Sequence, residues 1–289
     1  MISWIIIGRN WGNNLSNLFI SIDNQIDTSG CEIIFVDDFS TDNSIIELEN
    51  YIKINKYRLI KQKKCLGRSA ARNVGINNSK GEWCIFTNSN IYVNPRFIYE
   101  YKNILKSDSN DIIVGGISYE CKSDRYYELY LNQLSRGINR YDEYSIIPPQ
   151  YVLFGNCCIR RNLIENIQFN ESIFLYGGEE LELISRIINN NSKTSIIKIS
   201  NVAVRKNHPS FIEQCNRMIE FGCNLTILNN NDITNMVIPT YFNKIKFYIP
   251  TTTIIKLLKI LYKTLPIAKF IIIKLAFGFC VLHGMKKKN

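Results

Sequence analysis

Short apolar runs alternate with helical-period segments through the first two thirds of the chain. Trp4-Ile5-Ile6-Ile7 reads as a buried strand, the turn Gly8-Arg9-Asn10-Trp11-Gly12 follows, and Leu15, Leu18, Phe19 and Ile22 then recur at helical spacing. Glu32-Ile33-Ile34-Phe35-Val36 is a second apolar strand. It ends in Asp37-Asp38-Phe39-Ser40-Thr41-Asp42, an acidic, cap-forming stretch ahead of a helix near Ile45 to Ile54. Tyr57 to Lys61 predicts a third short strand. This βαβα opening predicts a parallel sheet with right-handed crossovers.

From Gly67 the basic stretch GRSAARNVGINN predicts a glycine-started helix. Trp83 to Thr87 then predicts a buried strand that stops in the polar loop Asn88-Ser89-Asn90. Such a loop at the carboxyl edge of a parallel sheet is where α/β proteins place ligands. Beyond it the pattern predicts a strand and turn over 111–116 and a strand closed by a basic turn over 154–161. A helix over 181–188, a strand over 195–204 and an amphipathic helix over 211–221 follow. Residues 119–151 are rich in Tyr, Arg and Asn and carry no usable motif.

The tail changes character. Ile254, Ile255, Leu257, Leu258, Ile260 and Leu261 form an apolar face, with Lys256, Lys259 and Lys263 on the other side. Pro266 interrupts, and Ile267 to Met285 makes a second apolar stretch ending in three lysines. Its longest uncharged run, Leu275 to Met285, is shorter than the about 20 residues a membrane-spanning helix needs. Charge sharpens this division. The chain carries +10, no Asp or Glu lies beyond Asp232, and ten lysines do, so the rest of the chain balances its Lys and Arg against its 25 acids. A nucleic-acid protein would spread basic residues over a working face with aromatics between them. The asymmetry predicts instead that residues 233–289 form basic amphipathic helices at an anionic membrane surface. Packing of those helices on the domain or on a second subunit, as in an oligomer, is the alternative.

Nine cysteines without a CxxC pair and two histidines give neither a zinc site nor a disulfide framework, and suit a reducing compartment. The first strand begins at residue 3, so no signal peptide is expected ahead of the fold. The 289 residues suffice for one large α/β domain or two small ones.

Several segments, in order, carry a resemblance to family 2 glycosyltransferases. Val36-Asp37-Asp38-Phe39-Ser40-Thr41-Asp42 resembles the family's VDDGSTD element, with Phe39 at its glycine. The opening Ile6-Ile7-Gly8-Arg9-Asn10-Trp11-Gly12 resembles its first strand and turn. Gly67-Arg68-Ser69-Ala70-Ala71-Arg72-Asn73-Val74-Gly75 resembles its G-x-x-x-ARN-x-G segment, and Gly81 to Phe86 the strand before its DxD loop. Phe169-Asn170-Glu171 stands where Phe-Asp-Glu is common. Tyr176-Gly177-Gly178-Glu179-Glu180-Leu181-Glu182-Leu183-Ile184-Ser185-Arg186 resembles its GGED-x-D/E-L-x-x-R stretch.

The resemblance covers roughly residues 1–225. It implies a GT-A fold, an α/β Rossmann-like architecture with a mixed, mostly parallel sheet, over 1–232, with the C-terminal amphipathic helices of 233–289 added. It also implies a nucleotide-sugar site built from Arg9, Asp37, Asp38, Gly67, Arg68, Arg72, Asn88, Ser89 and Asn90. Asp38 is the better placed acid for a base N–H, Gly67 lets backbone approach the nucleotide, and Arg72 reaches base or phosphate. Glu180 stands at the position of the catalytic base, with Glu179 binding the acceptor hydroxyl or orienting the site. Glu182 is expected to face solvent.

The DxD position falls on Asn88 and Asn90, which keep carbonyl oxygens and lose the charge that holds Mg²⁺ or Mn²⁺. Three readings stand: weak metal binding through Asn90 and His208, neutralisation of the diphosphate by Arg205 and Lys206, or lost catalysis. The expected function is inverting sugar transfer from a nucleotide-diphosphate sugar to a glycan or lipid-linked hydroxyl, in cell-surface polysaccharide synthesis. The expected place is the cytoplasmic face of the membrane, with no nucleic acid as partner. Alternatives are a catalytically inactive nucleotide-sugar or glycan-binding protein on the same fold, and a nucleotidyltransferase, which Asn88 and Asn90 suit poorly.

Overall fold

The computed structural model describes residues 1–55, 57–107, 110–228 and 250–287. The apolar runs become strands β1 (Ile2–Gly8), β2 (Cys31–Asp37), β3 (Arg58–Lys61) and β4 (Trp83–Asn88), joined by helices α1 (Leu15–Asp23), α2 (Ser44–Asn55) and α3 (Gly67–Asn78). All four strands pair in parallel, in the order β3-β2-β1-β4. The second half adds β5 (Ile91–Tyr92), α4 (Phe97–Leu105), β6 (Ile112–Cys121), α5 (Arg125–Leu131) and β7 (Cys157–Arg160). After these come α6 (Arg161–Ile164), α7 (Glu179–Asn190), β8 (Ile196–His208) and α8 (Phe211–Leu228). The sheet order is β3-β2-β1-β4-β7-β6-β8-β5. Strand β7 runs antiparallel between β4 and β6, β5 runs antiparallel to β8, and β6 pairs with β8 in parallel.

Strand alternation sends successive β1 side chains to opposite faces. Ile2, Trp4 and Ile6 join the core under α1, α2 and α4 with Leu18, Leu48 and Phe97. Ile5 and Ile7 join the core under α3 and α7 with Ile76, Leu183 and Ile184. The result is three layers, helix on sheet on helix, with the carboxyl ends of β1, β2 and β4 opening along one edge.

The tail forms α9 (Thr251–Thr264) and α10 (Lys269–Lys286), which bury Ile255, Leu258, Ile273 and Cys280 against α5 and α8. Helices α8 and α10 cross at their glycines. A Cβ at Gly222 would lie 2.1 Å from the Val281 carbonyl oxygen, and one at Gly284 would lie 2.0 Å from that of Ile219. Only hydrogen fits at either point. One face of each tail helix is therefore packed on the domain, while Leu257, Ile260, Ile267 and Ile271 remain exposed. Among the described residues no helix is long and apolar enough to cross a membrane. The expected boundary at 232/233, and Lys244, Lys246 and Lys288, lie outside the described residues.

Candidate active site

The loops after β1, β2 and β4 converge because Gly8 has no side chain. A Cβ there would lie 2.7 Å from Ser89 Cβ and 2.8 Å from the Trp11 ring. The Trp11 indole N–H donates to Asp37 (2.7 Å), whose other oxygen accepts from the Ser40 amide (2.9 Å). Phe39, at the glycine of the sequence pattern, takes φ +62° to close this turn. Asp37 is buried, braces two loops and lines neither cavity.

Asp38 does line the cavity at this edge, and its lone pairs are already used. One oxygen accepts from the Gln62 amide nitrogen (2.9 Å) and the Leu66 backbone (2.7 Å). The other accepts from the Gly67 backbone (3.0 Å) and the Cys65 thiol (3.4 Å). A carboxylate has about four acceptor sites. Asp38 therefore ties down the loop entering α3 while it lines the cavity.

The Ala-Arg-Asn-x-Gly segment of α3 works as a bracket. Asn73 exchanges hydrogen bonds with Phe169 backbone (2.9 and 2.8 Å) and donates to Glu171 (2.8 Å), which fixes the loop before α7. At Gly75 the helix lies against β1, where a Cβ would sit 2.4 Å from Ile5 Cγ2. Arg72 between them is 1% exposed, with its guanidinium 5.4 Å from the Phe154 ring and 5.2 Å from the Phe169 ring. Its Nη1 is 3.1 Å from Glu179 and its Nη2 2.7 Å from Glu180. Arg72, expected at base or phosphate, lines neither cavity and clamps the two glutamates.

The glutamates begin α7 after Gly177 (φ +84°) and Gly178 (φ +97°), a left-handed pair that turns the chain into the helix. Asn224 of α8 holds this turn by donating to the Gly177 carbonyl (2.6 Å). Burial opposes ionisation of Glu179, but Arg68 at 3.2 Å and Arg72 outweigh it and hold its carboxyl below the usual range. Glu180 is pushed the other way, raised by burial and by the Glu179 charge despite Arg72. Two carboxyls driven apart in this manner divide into a fixed anion and a group able to exchange a proton. Glu182 is buried on Arg186 (2.6 and 2.8 Å), which also donates to the Gln168 carbonyl (2.7 Å), so it does not face solvent as expected.

Two cavities meet here. The first, about 550 Å³, takes in Arg9, Gly67, Ser89, Asn90 and Arg217. The second, about 580 Å³, takes in Glu179, Glu180, Tyr151, Arg136 and Phe221. Arg68, Asn88, Tyr176 and Arg205 belong to both and form the common wall. Tyr176, Arg136 and Arg217 escaped the sequence reading. Tyr176 stood beside the Gly-Gly pair without a role, and nothing in the sequence around Arg136 or Arg217 marks either. Lys206 points away from Arg205, as adjacent strand residues do, and lies over the Tyr92 ring (5.4 Å).

A divalent ion needs several oxygen donors, carboxylates foremost. Asn88, Ser89 and Asn90 offer neutral oxygens, the Asp38 carboxylate is occupied by its loop, Glu220, the other carboxylate of this cavity, accepts from the Tyr176 amide (3.2 Å), and no group of three His, Cys, Asp or Glu suited to a metal occurs among the described residues. Four arginines line the same cavity. This donor set does not fit Mg²⁺ or Mn²⁺. His208, expected in a loop as a ligand, is instead the last residue of β8, 5% exposed and 4.9 Å from the Tyr119 ring and 5.7 Å from that of Tyr127. It lines neither cavity.

Burial, then the charges of Arg205, Arg217 and Arg136, push His208 down to about 3 from its ordinary 6.5. Between those values the unfolded chain takes up a proton that the folded chain refuses, so His208 makes stability fall as pH drops through this window. The slope is at most about 1.4 kcal/mol per pH unit. His208→Phe is expected to flatten it, which urea midpoints of variant and parent at mildly acidic and neutral pH will show.

The sheet order and the helices on both its faces are those of the GT-A architecture. The chain belongs to glycosyl transferase family 2, whose profile matches residues 3–167. It is similar to the cholesterol galactosyltransferase of Borreliella burgdorferi, 27% identical over 189 residues, 57% of this chain and 49% of that one. It is also similar to the minor teichoic acid biosynthesis protein GgaB of Bacillus subtilis, 26% identical over 193 residues, 64% of this chain and 20% of that one. The chain thus spans less than half the length of these relatives. Among solved structures, S. aureus TarS 1-349 in complex with UDP-GlcNAc matches with a TM-score of 0.62 at 12% identity, over 99% of this chain and 91% of that one. GalNAc-T7 with UDP, GalNAc and Mn²⁺ matches with a TM-score of 0.56 at 14% identity, over 78% and 50%. At such identities the likeness is one of fold.

Proposed function

We propose that this protein is an inverting glycosyltransferase that moves a sugar from a nucleotide-diphosphate sugar to a hydroxyl of a glycan or lipid-linked acceptor. The observation that carries this reading is Glu180, a carboxyl of raised pKa on the wall of the second cavity, beside the arginine-lined first one. Donor in the first cavity and acceptor in the second meet at Arg68, Asn88, Tyr176 and Arg205. Glu180 takes the proton of the acceptor hydroxyl, and that oxygen forms a bond to the anomeric carbon from the face opposite the diphosphate. The carbon–oxygen bond to the diphosphate breaks, and its electron pair leaves with the phosphate. Glu179, held ionised by Arg68 and Arg72, orients the site.

Support for work on cell-surface polysaccharide comes from the teichoic acid relative. The exposed Leu257, Ile260, Ile267 and Ile271, with Lys256, Lys263 and Lys274 near them in sequence, support peripheral attachment to the anionic inner face of a membrane. Incubation with UDP-, GDP- and TDP-linked sugars and a panel of glycan and polyprenyl-lipid acceptors, followed by proton NMR of the anomeric signal, tests the reaction. One donor is expected to be consumed with its anomeric configuration inverted. Nucleotide-sugar binding with neither transfer nor hydrolysis would establish the inactive binding protein instead.

A further inference from the structure

The first cavity holds more positive charge than the protein around it balances. Arg9, Arg68, Arg205 and Arg217 line it, against the carboxylates of Asp38 and Glu220. Asp38 is consumed by the loop before α3, Glu220 accepts from the Tyr176 amide (3.2 Å), and Arg68 pairs with Glu179. Among the described residues neither Arg205 nor Arg217 has a carboxylate within ion-pair distance. One ring gathers two of the guanidiniums, Arg68 at 4.7 Å and Arg217 at 5.1 Å from the centroid of Tyr176, and Arg205 lines the same cavity. Burial, together with the Arg205 and Arg68 charges, pushes Arg217 down, and the Arg205 and Arg68 charges lower Tyr176 although its burial works against this. Arg205 Nε and Asn88 Oδ1 are buried atoms without a hydrogen-bond partner.

Clustered like charges repel, and buried polar atoms left unpaired cost free energy. An anion in the cavity relieves the repulsion and gives Arg205 Nε an acceptor, while Asn88 Oδ1, itself an acceptor, pairs only with a donor. Its chemistry follows from the groups that meet it. Guanidinium is a planar fork that takes two phosphate oxygens at once, and several such forks around a cavity of this size match a diphosphate. We propose that Arg68, Arg205 and Arg217, and not a divalent cation, bind and neutralise the diphosphate of the donor. The inference rests on the transferase reading for the identity of the ligand. Fixed guanidiniums also stand where charge develops as the nucleoside diphosphate departs, so they assist bond cleavage without a metal.

The probes are inorganic pyrophosphate, UDP and GDP, titrated calorimetrically at constant ionic strength, once in EDTA and once in MnCl₂. Binding of pyrophosphate, and of one nucleotide more tightly, is expected with Kd values within about twofold in the two buffers. Arg205→Gln and Arg217→Gln are each expected to weaken pyrophosphate at least tenfold. Their unfolding midpoints without ligand are expected to stay level or rise, because a repelling charge is gone. A merely structural arginine would lower the midpoint. Should glutamine prevent folding, Arg205→Lys and Arg217→Lys keep the charge, lose the fork, and are expected to bind severalfold more weakly.

Binding that needs Mn²⁺, variants that bind as the parent does, or no binding of any probe in either buffer would overturn the inference. Sugar transfer that stops in EDTA overturns it and leaves the transferase standing. EDTA-insensitive binding without transfer sinks the transferase reading and leaves the arginine site in place.

Discussion

Glu180→Gln is expected to lower sugar transfer by about 10²- to 10⁴-fold, the range a positioned general base contributes. Glutamine keeps the length and the acceptor oxygen facing Arg72 at 2.7 Å, but it cannot take a proton. The variant removes one carboxylate from a buried pair, so the fold is expected to hold. Nucleotide binding in the first cavity should be unchanged, since Glu180 lines only the second. Turnover and dissociation constants measured on one preparation separate the two effects. A variant retaining more than a tenth of parental turnover would remove Glu180 from the role of base. Because burial and Glu179 raise the Glu180 carboxyl, parental activity should fall on the acid side above the usual carboxylate range.

Arg72→Met is expected to have the largest effect on stability. The guanidinium is 1% exposed and satisfies Glu179 and Glu180 together, while Glu179 is itself 2% exposed. Removing one partner of a buried ion pair costs about 3–5 kcal/mol, chiefly through the charge left behind. The pair answers by binding protons, so the folded-state pKa of both carboxyls rises, Glu179 losing one of the two arginines that hold it low and Glu180 moving further above the unfolded chain. Over the window between those values the folded state holds more protons, and stability falls as pH rises. The variant should therefore lose most at neutral pH and least near pH 4 to 5, where the unfolded carboxyls titrate. Urea midpoints across that range check the sign. Equal losses at both ends would mean that Arg72 stabilises by packing between Phe154 and Phe169 rather than by charge.

The four parallel strands were legible because each is a short apolar run with turn chemistry at its end, a local signal. The Gly-Gly-Glu-Glu turn was legible for the same reason. What escaped the sequence was assembled over distance. Arg72 reads as a nucleotide contact because nothing on its own helix shows that α7, 107 residues on, comes to pair with it. Arg68, Tyr176, Arg205 and Arg217 come from four separate segments, and no spacing links them. His208 was misplaced because β8 runs four residues past its apolar run, paired with β6 to Cys121. The insertion of β7 between β4 and β6 is a choice of partner, which strand periodicity does not encode.

The glycine crossing of α8 and α10 bears on how this chain can be recombined. Helix α8 carries Arg217 and Glu220 to the first cavity, Met218 and Phe221 to the second, and Asn224 to the turn before Glu179. With Gly222 and Gly284 in backbone contact, α10 is the back wall of that helix rather than an appendage. A chimera that grafts a foreign tail after residue 228 would keep the α8 half of a matched groove and discard its mate. The natural splice lies ahead of Phe211, where α8, α9 and α10 travel as one inheritable cassette and bring their share of both cavities with them.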